Sequence, residues 1–374
     1  MDVILKNKKQ KMIKNLFIKI IRGFIDLVDI ACDELRNIYR DRGVMIIFFA
    51  ASLLYPILYS FVYKNEVYQN APIAVVDESN TSLSREFTRK MDATPEVNVV
   101  FDCTTMEEAK KLYDNRKIVG FFIIPNSFSD DINSGKQTHV SVYNSMSSMM
   151  YYKALYASTN YVSLDMGHNI QIKNLFAQGI TGKQAEISAT PIKYNGYALY
   201  NTQNGFASFL LPPVLILIIQ QTLILGIGIL AGTAREENKF HELIPIQRKY
   251  HGTLRIVLGK SLSYLLLYSF ISLFVLVLIP KAFNLPQLAN PSDLTLFLLP
   301  YLLSVIFFGI TISVFFKNRE SPFLLFLFTS LIFLFMSGYS WPSSHIHPIW
   351  KIISYAIPST FGISGYIKMS SMGA

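Results

Sequence analysis

Two glycine-bearing runs are the first places to look for chemistry. "GTLRIVLGKS" (252–261) ends in the Gly-Lys-Ser of a phosphate-binding loop. Such a loop also needs a Gly separated by four residues from that triplet, so that backbone amides can cradle phosphate. Leu254 stands at that position, no strand-forming run precedes it, and Ser261 opens a long apolar stretch. The run does not bind nucleotide, and Lys260 is expected to snorkel to a membrane interface. "GIGILAG" (226–232) imitates a dinucleotide fingerprint but lies inside an uncharged apolar run. Gly228 and Gly232 there form a small-xxx-small face suited to close helix packing.

The other reactive side chains are sparse. His345 and His347 lie beside Ser343 and Ser344, but a metal site wants three or four ligands, so no metal is expected. Neither HExxH nor GxSxG occurs, and no catalytic residue is assigned. Asp77 and Asp102 follow strand-like runs; turn and helix-cap chemistry is the preferred reading of both. Gln220 and Gln221 fall mid-way along an apolar run. An amide in hydrocarbon must find a partner, so they line a translocation path or bond to another helix.

The elements that must position these residues are membrane spans. Of 374 residues 51% are apolar and only 16% charged, against about 25% charged in ordinary soluble domains. Windows 43–63, 205–234, 261–280, 294–316 and 321–350 contain no Asp, Glu, Lys or Arg. Each supplies the roughly 20 residues a helix needs to cross about 30 Å of hydrocarbon. Five spans are predicted, at 43–63, 205–233, 256–280, 294–316 and 321–340. Their lack of carboxylates argues against a proton- or sodium-driven carrier.

The net charge of +9 does not signal nucleic acid, because of where it lies. Residues 1–43 carry ten Lys/Arg against six Asp/Glu, residues 232–260 six against three, and residues 64–204 thirteen against fourteen. By the positive-inside rule the N-terminus and the 234–255 loop are cytoplasmic and 64–204 lies outside. The apolar stretch at 16–31 is broken by Lys19, Arg22, Asp26 and Asp29, so the first span is read as an uncleaved anchor. Cys32 and Cys103 then fall on opposite sides and cannot pair within one chain.

Residues 12–42 carry Ile13, Phe17, Ile20, Phe24, Leu27, Ala31, Leu35 and Ile38 at helical spacing among basic residues. That pattern suits a helix along the cytoplasmic interface, or one packed on protein. In 64–204, "IAVVD", "VNVVF", "VGFFIIP" and "THVSVYN" read as strands. Helices over 82–91 and from 106 separate the first three, which implies a small α/β layer. A long helical pattern follows from about 146 to 184.

The order of these segments resembles the membrane subunit, or permease, of type-2 ABC exporters with a large extracytoplasmic domain after the first span. "DELRNIYRDRGVMIIFFAASLLYPILYSFVY" (33–63) is similar to the family's connecting helix running into its first span. "IAVVDESNTSLSREF" and "KIVGFFIIPNSFSDDINSGK" resemble its outer domain. Residues 337–374 resemble its re-entrant pair of short helices. The family ends in a sixth span, whereas this sequence stops at Ala374.

The resemblance implies a fold and a partner set. The fold would be a polytopic α-helical membrane protein with an inserted extracytoplasmic α/β domain. In the family the loop between spans two and three docks on an ATPase subunit. Here Arg235, Glu236, Glu237 and Lys239, with Phe240, Glu242 and Leu243, occupy that loop, although "NKFHEL" replaces the Gly-Thr pair common there. ATP and Mg would bind the partner ATPase, and this chain would hold no cofactor. A second permease chain (identical or not), membrane lipid and a periplasmic adaptor complete the implied partners. The implied setting is the bacterial inner membrane, and the implied cargo is amphipathic or hydrophobic. A membrane receptor with an extracytoplasmic ligand-binding domain is the alternative.

Overall fold

The computed structural model describes residues 2–64, 68–144, 146, 148–193, 195–197, 199–201, 205–239, 243 and 252–373, with side chains from residue 21 onward apart from Leu327. The chain begins with α1 (Asp2–Arg40) and α2 (Arg42–Val62). An inserted run follows: β1 (Ala71–Asp77), α3 (Ser82–Asp92), β2 (Val97–Cys103), α4 (Met106–Asp114) and β3 (Gly120–Ile124). It closes with α5 (Phe128–Asn133), β4 (Ser141–Asn144), α6 (Met149–Ala177) and α7 (Lys183–Ala189). Helices then resume as α8 (Phe206–Glu236), α9 (Thr253–Ala282), α10 (Pro291–Ser313), α11 (Ser321–Met336), α12 (Pro348–Ser354) and α13 (Pro358–Met372). Two compact units result: 1–64 with 200–374, and 65–199.

In the helical unit α2, α8, α9 and α10 are long and apolar enough to cross a membrane. The fifth uncharged window yields α11, of 16 residues, about 24 Å at 1.5 Å per residue. Thus α11 falls short of a full hydrocarbon crossing. The chain turns at Gly338, where φ is +77°, a left-handed conformation glycine adopts without steric cost. Helices α12 and α13 then occupy the 341–374 region.

Helix α8 forms the centre of this unit. Its hydrophobic stretch is 83% buried, whereas the equivalent stretches of α2 and α10 are 28% and 33% buried. A helix apolar all round is stable only when enclosed, and α8 is enclosed by α2, α9, α10, α11 and α13. A π-helical turn at Ile46–Ala51 sets the local phase of α2. Buried Phe48 packs edge-on to Tyr264 and Tyr268, and its ring fills the space beside Gly226.

Helix α1 packs on α9 along Ile30, Ala31, Glu34 and Ile38, all buried. Its apolar residues Phe24, Ile25 and Val28 remain exposed on a different face. The helix is therefore packed on protein along one face and apolar along another.

The unit at 65–199 holds a four-stranded sheet in the order β2-β1-β3-β4. The first three strands are parallel and β4 pairs antiparallel with β3. Side chains alternate across a strand, so Ile73 and Val75 join a core with Phe87 and Met91 of α3 and Leu155 of α6. Ala74 and Val76 face the other way, onto Ala109 of α4. Helices on both faces are what a parallel sheet requires.

Candidate functional site

Most charged groups of the helical unit gather at one end, where α1 finishes, α2 begins, α8 finishes and α9 begins, whereas Lys64, Lys281, Asp293, Lys351 and Lys368 lie elsewhere. Asp41 separates α1 from α2, and its Oδ1 accepts from the amides of Gly43 (2.8 Å) and Val44 (3.1 Å). It is an N-cap, satisfying donors that the first helical turn leaves open. The same carboxylate receives Arg319 in a two-pronged contact, Nη1 to Oδ2 at 2.5 Å and Nη2 to Oδ1 at 2.6 Å. Burial raises the Asp41 pKa, but the Arg319 hydrogen bond, the two amides and the Arg319 charge outweigh it and leave it below the usual carboxylate value. The Asp41 hydrogen bond in turn raises the Arg319 pKa.

Arg319 also reaches α8. Its Nη1 donates to Thr233 Oγ1 at 2.8 Å, and its backbone amide donates to Glu236 Oε2 at 2.9 Å. Two glycines make room for this segment. A Cβ at Gly232 would collide with the Asn318 carbonyl oxygen, and one at Gly43 would collide with the Arg319 guanidinium. Gly228 is equally confined, with Phe316 and Pro322 at 2.8 and 2.9 Å from such a Cβ. Thus Gly228 and Gly232 admit the 316–322 segment against α8.

Arg235 donates from Nη1 to the carbonyls of Ser313 (2.5 Å) and Phe316 (2.8 Å). A guanidinium placed there satisfies carbonyls released at the C-terminal end of α10 and complements its dipole. Arg235 and Glu236 are thus engaged by their own chain. Glu237 and Lys239 pair with each other and keep 49% and 43% of their side chains exposed. Leu243 lines a cavity, while Phe240 and Glu242 lie outside the described residues.

A second set of contacts joins α1 to α9. Arg255 Nη1 lies 3.3 Å from Asp26 Oδ2. Lys260 Nζ lies 2.9 Å from Glu34 Oε2, the two side chains being 16% and 5% exposed. Tyr264 donates its hydroxyl hydrogen to the same carboxylate, and Ser263 Oγ donates to the Ala31 carbonyl at 2.9 Å. Lys260 does not snorkel as expected: a buried acid on α1 holds it inside the protein. Between the two sets lies a cavity of about 420 Å³. Ile227, Ala231, Ile256 and Ile310 form apolar walls, with Asn37 and Arg235 among the polar lining.

Deeper in the bundle, Gln220 donates from Nε2 to Ser359 Oγ at 3.1 Å, which links α8 to α13. Gln220 Oε1, Gln221 Nε2 and Thr360 Oγ1 are buried with no hydrogen-bond partner among the described residues.

In the α/β unit the Asp77 carboxylate accepts from the amides of Ser79 and Asn80 and from the Ser84 hydroxyl at 2.6 Å. It closes a turn and braces the start of α3. No group of three or more His, Cys, Asp or Glu able to hold a metal occurs among the described residues. His345 instead meets the Ser344 hydroxyl at 3.0 Å.

Comparison with known proteins fits this architecture. Residues 42–374 match the model of the ABC-2 family transporter protein. The chain belongs to this family. It is thus a membrane-spanning subunit of an ABC transporter, a transport component with several apolar helices. Two relatives, from Escherichia coli strain K12 and Escherichia coli O157:H7, are each described as a probable multidrug ABC transporter permease YbhR. Each is 22% identical over 323 residues, covering 85% of this chain and 82% of the relative. No solved structure matches the chain.

Sequence reasoning passed over Asp41, Thr233, Glu34 and Arg319. The usable signal was position: Asp41 and Arg319 each stand within two residues of an uncharged window.

Proposed function

We propose that this ABC-2 permease exports an amphipathic or hydrophobic substrate, driven by ATP hydrolysis on a separate subunit that docks at the charged end of the helical unit. The observation that carries this reading is that the basic segments meet at one end. Asp26–Arg255, Glu34–Lys260 and Asp41–Arg319 bring together α1, the start of α2, the start of α9 and the 317–320 segment. Lys and Arg near span ends favour the cytoplasmic side, so this end faces the cytoplasm and the N-terminus lies there too.

The opposite end supports the placement of the α/β unit outside. Tyr63, at the end of α2, packs on Phe206, at the start of α8, with ring centroids 5.4 Å apart. The inserted residues leave and re-enter the helical unit at that pair, away from the charged end. On this topology the chain sits in the bacterial inner membrane and 65–199 is extracytoplasmic, within reach of an adaptor.

Docking falls to Glu237, Lys239 and the residues that follow, through Phe240, Glu242 and Leu243, because Arg235 and Glu236 are held by their own chain. A partly polar interface of this type draws specificity from charge. ATP and Mg belong to the partner ATPase. Two permease chains, identical or different, enclose the pathway, with the Gln220–Gln221 pair near it. The description of the relatives as probable multidrug permeases supports amphipathic cargo.

Affinity purification of the tagged chain from its native membrane tests the reading. An ABC ATPase should co-purify, and Glu237→Lys with Lys239→Glu should release it. Retention of the ATPase by that double variant would remove the proposed docking face. A ligand complex of the α/β unit with no ATPase present would favour the receptor reading.

A further inference from the structure

We propose that Arg319 is a positioning residue that makes the end of α8, the start of α2 and the α10–α11 connection move as one body when the ATPase acts. This rests on the docking reading above, and it assigns force transmission to residues that lie outside the docking face. Three observations converge on Arg319. Its guanidinium binds both oxygens of the carboxylate that caps α2, at 2.5 and 2.6 Å. The same group and its backbone amide bind Thr233 and Glu236 in the last turn of α8. Gly43 and Gly232 lack the Cβ atoms that would exclude the 318–319 segment.

The joint is closed from a further side by Arg235, which ties the same turn of α8 to Ser313 and Phe316. A push delivered just beyond Glu236 therefore reaches α2 and α10 through short charge-assisted bonds rather than through flexible loop. Two-pronged guanidinium–carboxylate contacts fix orientation as well as distance, which a lysine ammonium does not. Asp41 also adjoins α1, since its amide donates to the Asn37 carbonyl at 3.1 Å. Movement of α1 should thus depend on Arg319.

Cys32 offers a reporter, because it is exposed on α1 whereas Cys103 is buried. The experiment places an environment-sensitive maleimide dye on Cys32 in the purified permease–ATPase complex and reads the response to ATP with vanadate. Wild type should respond. Arg319→Gln and Asp41→Asn should keep the ATPase bound and hydrolysing within about twofold of wild type, yet lose the dye response at least about fivefold, the low end of ordinary coupling between sites. Pairing the two substitutions should add little to either alone, as expected for groups in direct contact.

Arg319→Lys guards against a folding artefact, because it keeps the charge; it should bind the ATPase fully and respond weakly. A full response in Arg319→Gln would overturn the proposal. Loss of the ATPase from Arg319→Gln while Arg319→Lys retains it would also overturn it, by placing residue 319 in the docking face. Absence of any ATPase from the wild-type chain would overturn the docking reading and this proposal together.

Discussion

Glu34 of α1 and Lys260 of α9 form an ion pair of 2.9 Å that is almost closed to solvent. The Tyr264 hydroxyl supplies the carboxylate with a second partner. Removing one partner of a buried pair strands the other charge, whereas removing both is far milder. Glu34→Gln should destabilise the chain by about 3 kcal/mol, the low end of the cost of a stranded buried charge. Glu34→Gln with Lys260→Met should recover most of that loss. Thermal unfolding in detergent checks both, and equal destabilisation by the single and double variants would show that the pair carries no coupling.

The two close-packed glycines of α8 should respond differently to the same substitution. A Cβ at Gly226 meets the Phe48 ring, and a side chain can be trimmed. A Cβ at Gly232 meets the Asn318 carbonyl, and backbone cannot. Each Ala substitution should cost about 1–3 kcal/mol by overpacking. Phe48→Leu should relieve Gly226→Ala, while no side-chain trimming at residue 318 should relieve Gly232→Ala. Unfolding midpoints of the four variants give the answer, and rescue of Gly232→Ala by Asn318→Ala would contradict the geometry.

Much of the helical unit was legible because uncharged windows and helix ends share one cause, the exclusion of charge from hydrocarbon. The window 43–63 and the helix Arg42–Val62 differ by one residue at each end. Alternation was as informative in the inserted unit, where "IAVVD" lies within Ala71–Asp77. Side-chain direction was less legible. On α1 the apolar series found part of the protein-facing side, since Ala31 and Ile38 are buried and Leu35 packs on the core, but it included Phe24, which is exposed, and missed Ile30 and Glu34, which are buried. Glu34 sits four residues from both Ile30 and Ile38, and only its distant partner Lys260, 226 positions on, makes an acid tolerable there. Nor could sequence show that Arg235 and Glu236 turn back onto 313–319, since those bonds span about 80 residues. Charge in a loop reads as exposure until the opposing segment is known.

Asp41 gives the charged end a defined acid sensitivity. Despite burial, the Arg319 guanidinium and the Val44 and Gly43 amides hold its carboxyl below the usual carboxylate range in the folded chain. A depressed carboxylate contributes stability that is complete above its unfolded pKa and is lost as pH falls through the folded one. Other carboxylates titrate in the same range, so the difference between wild type and Asp41→Asn isolates this one. That difference should be constant from pH 7 to about pH 5 and shrink below about pH 4. Unfolding midpoints across that range check it, and a difference independent of pH would show that the Arg319 contact does not stabilise the ionised form.

The two cysteines should differ in reactivity before any membrane is considered. Cys32 is exposed on α1, and Cys103 is 3% exposed at the end of β2. Burial, with the nearby charges of Glu108 and Asp102, pushes the Cys103 thiol above its ordinary pKa. The thiolate is the reactive species, so maleimide in detergent should modify one thiol rapidly and the second only on unfolding. Cys32→Ser should abolish the fast phase, and Cys103→Ser should leave it intact. In spheroplasts the proposed topology adds a sidedness: a permeant maleimide should reach Cys32, whereas an impermeant one should label neither cysteine. Labelling of Cys32 by the impermeant reagent would place α1 outside, and with it the charged end to which Asp26 and Glu34 bind that helix.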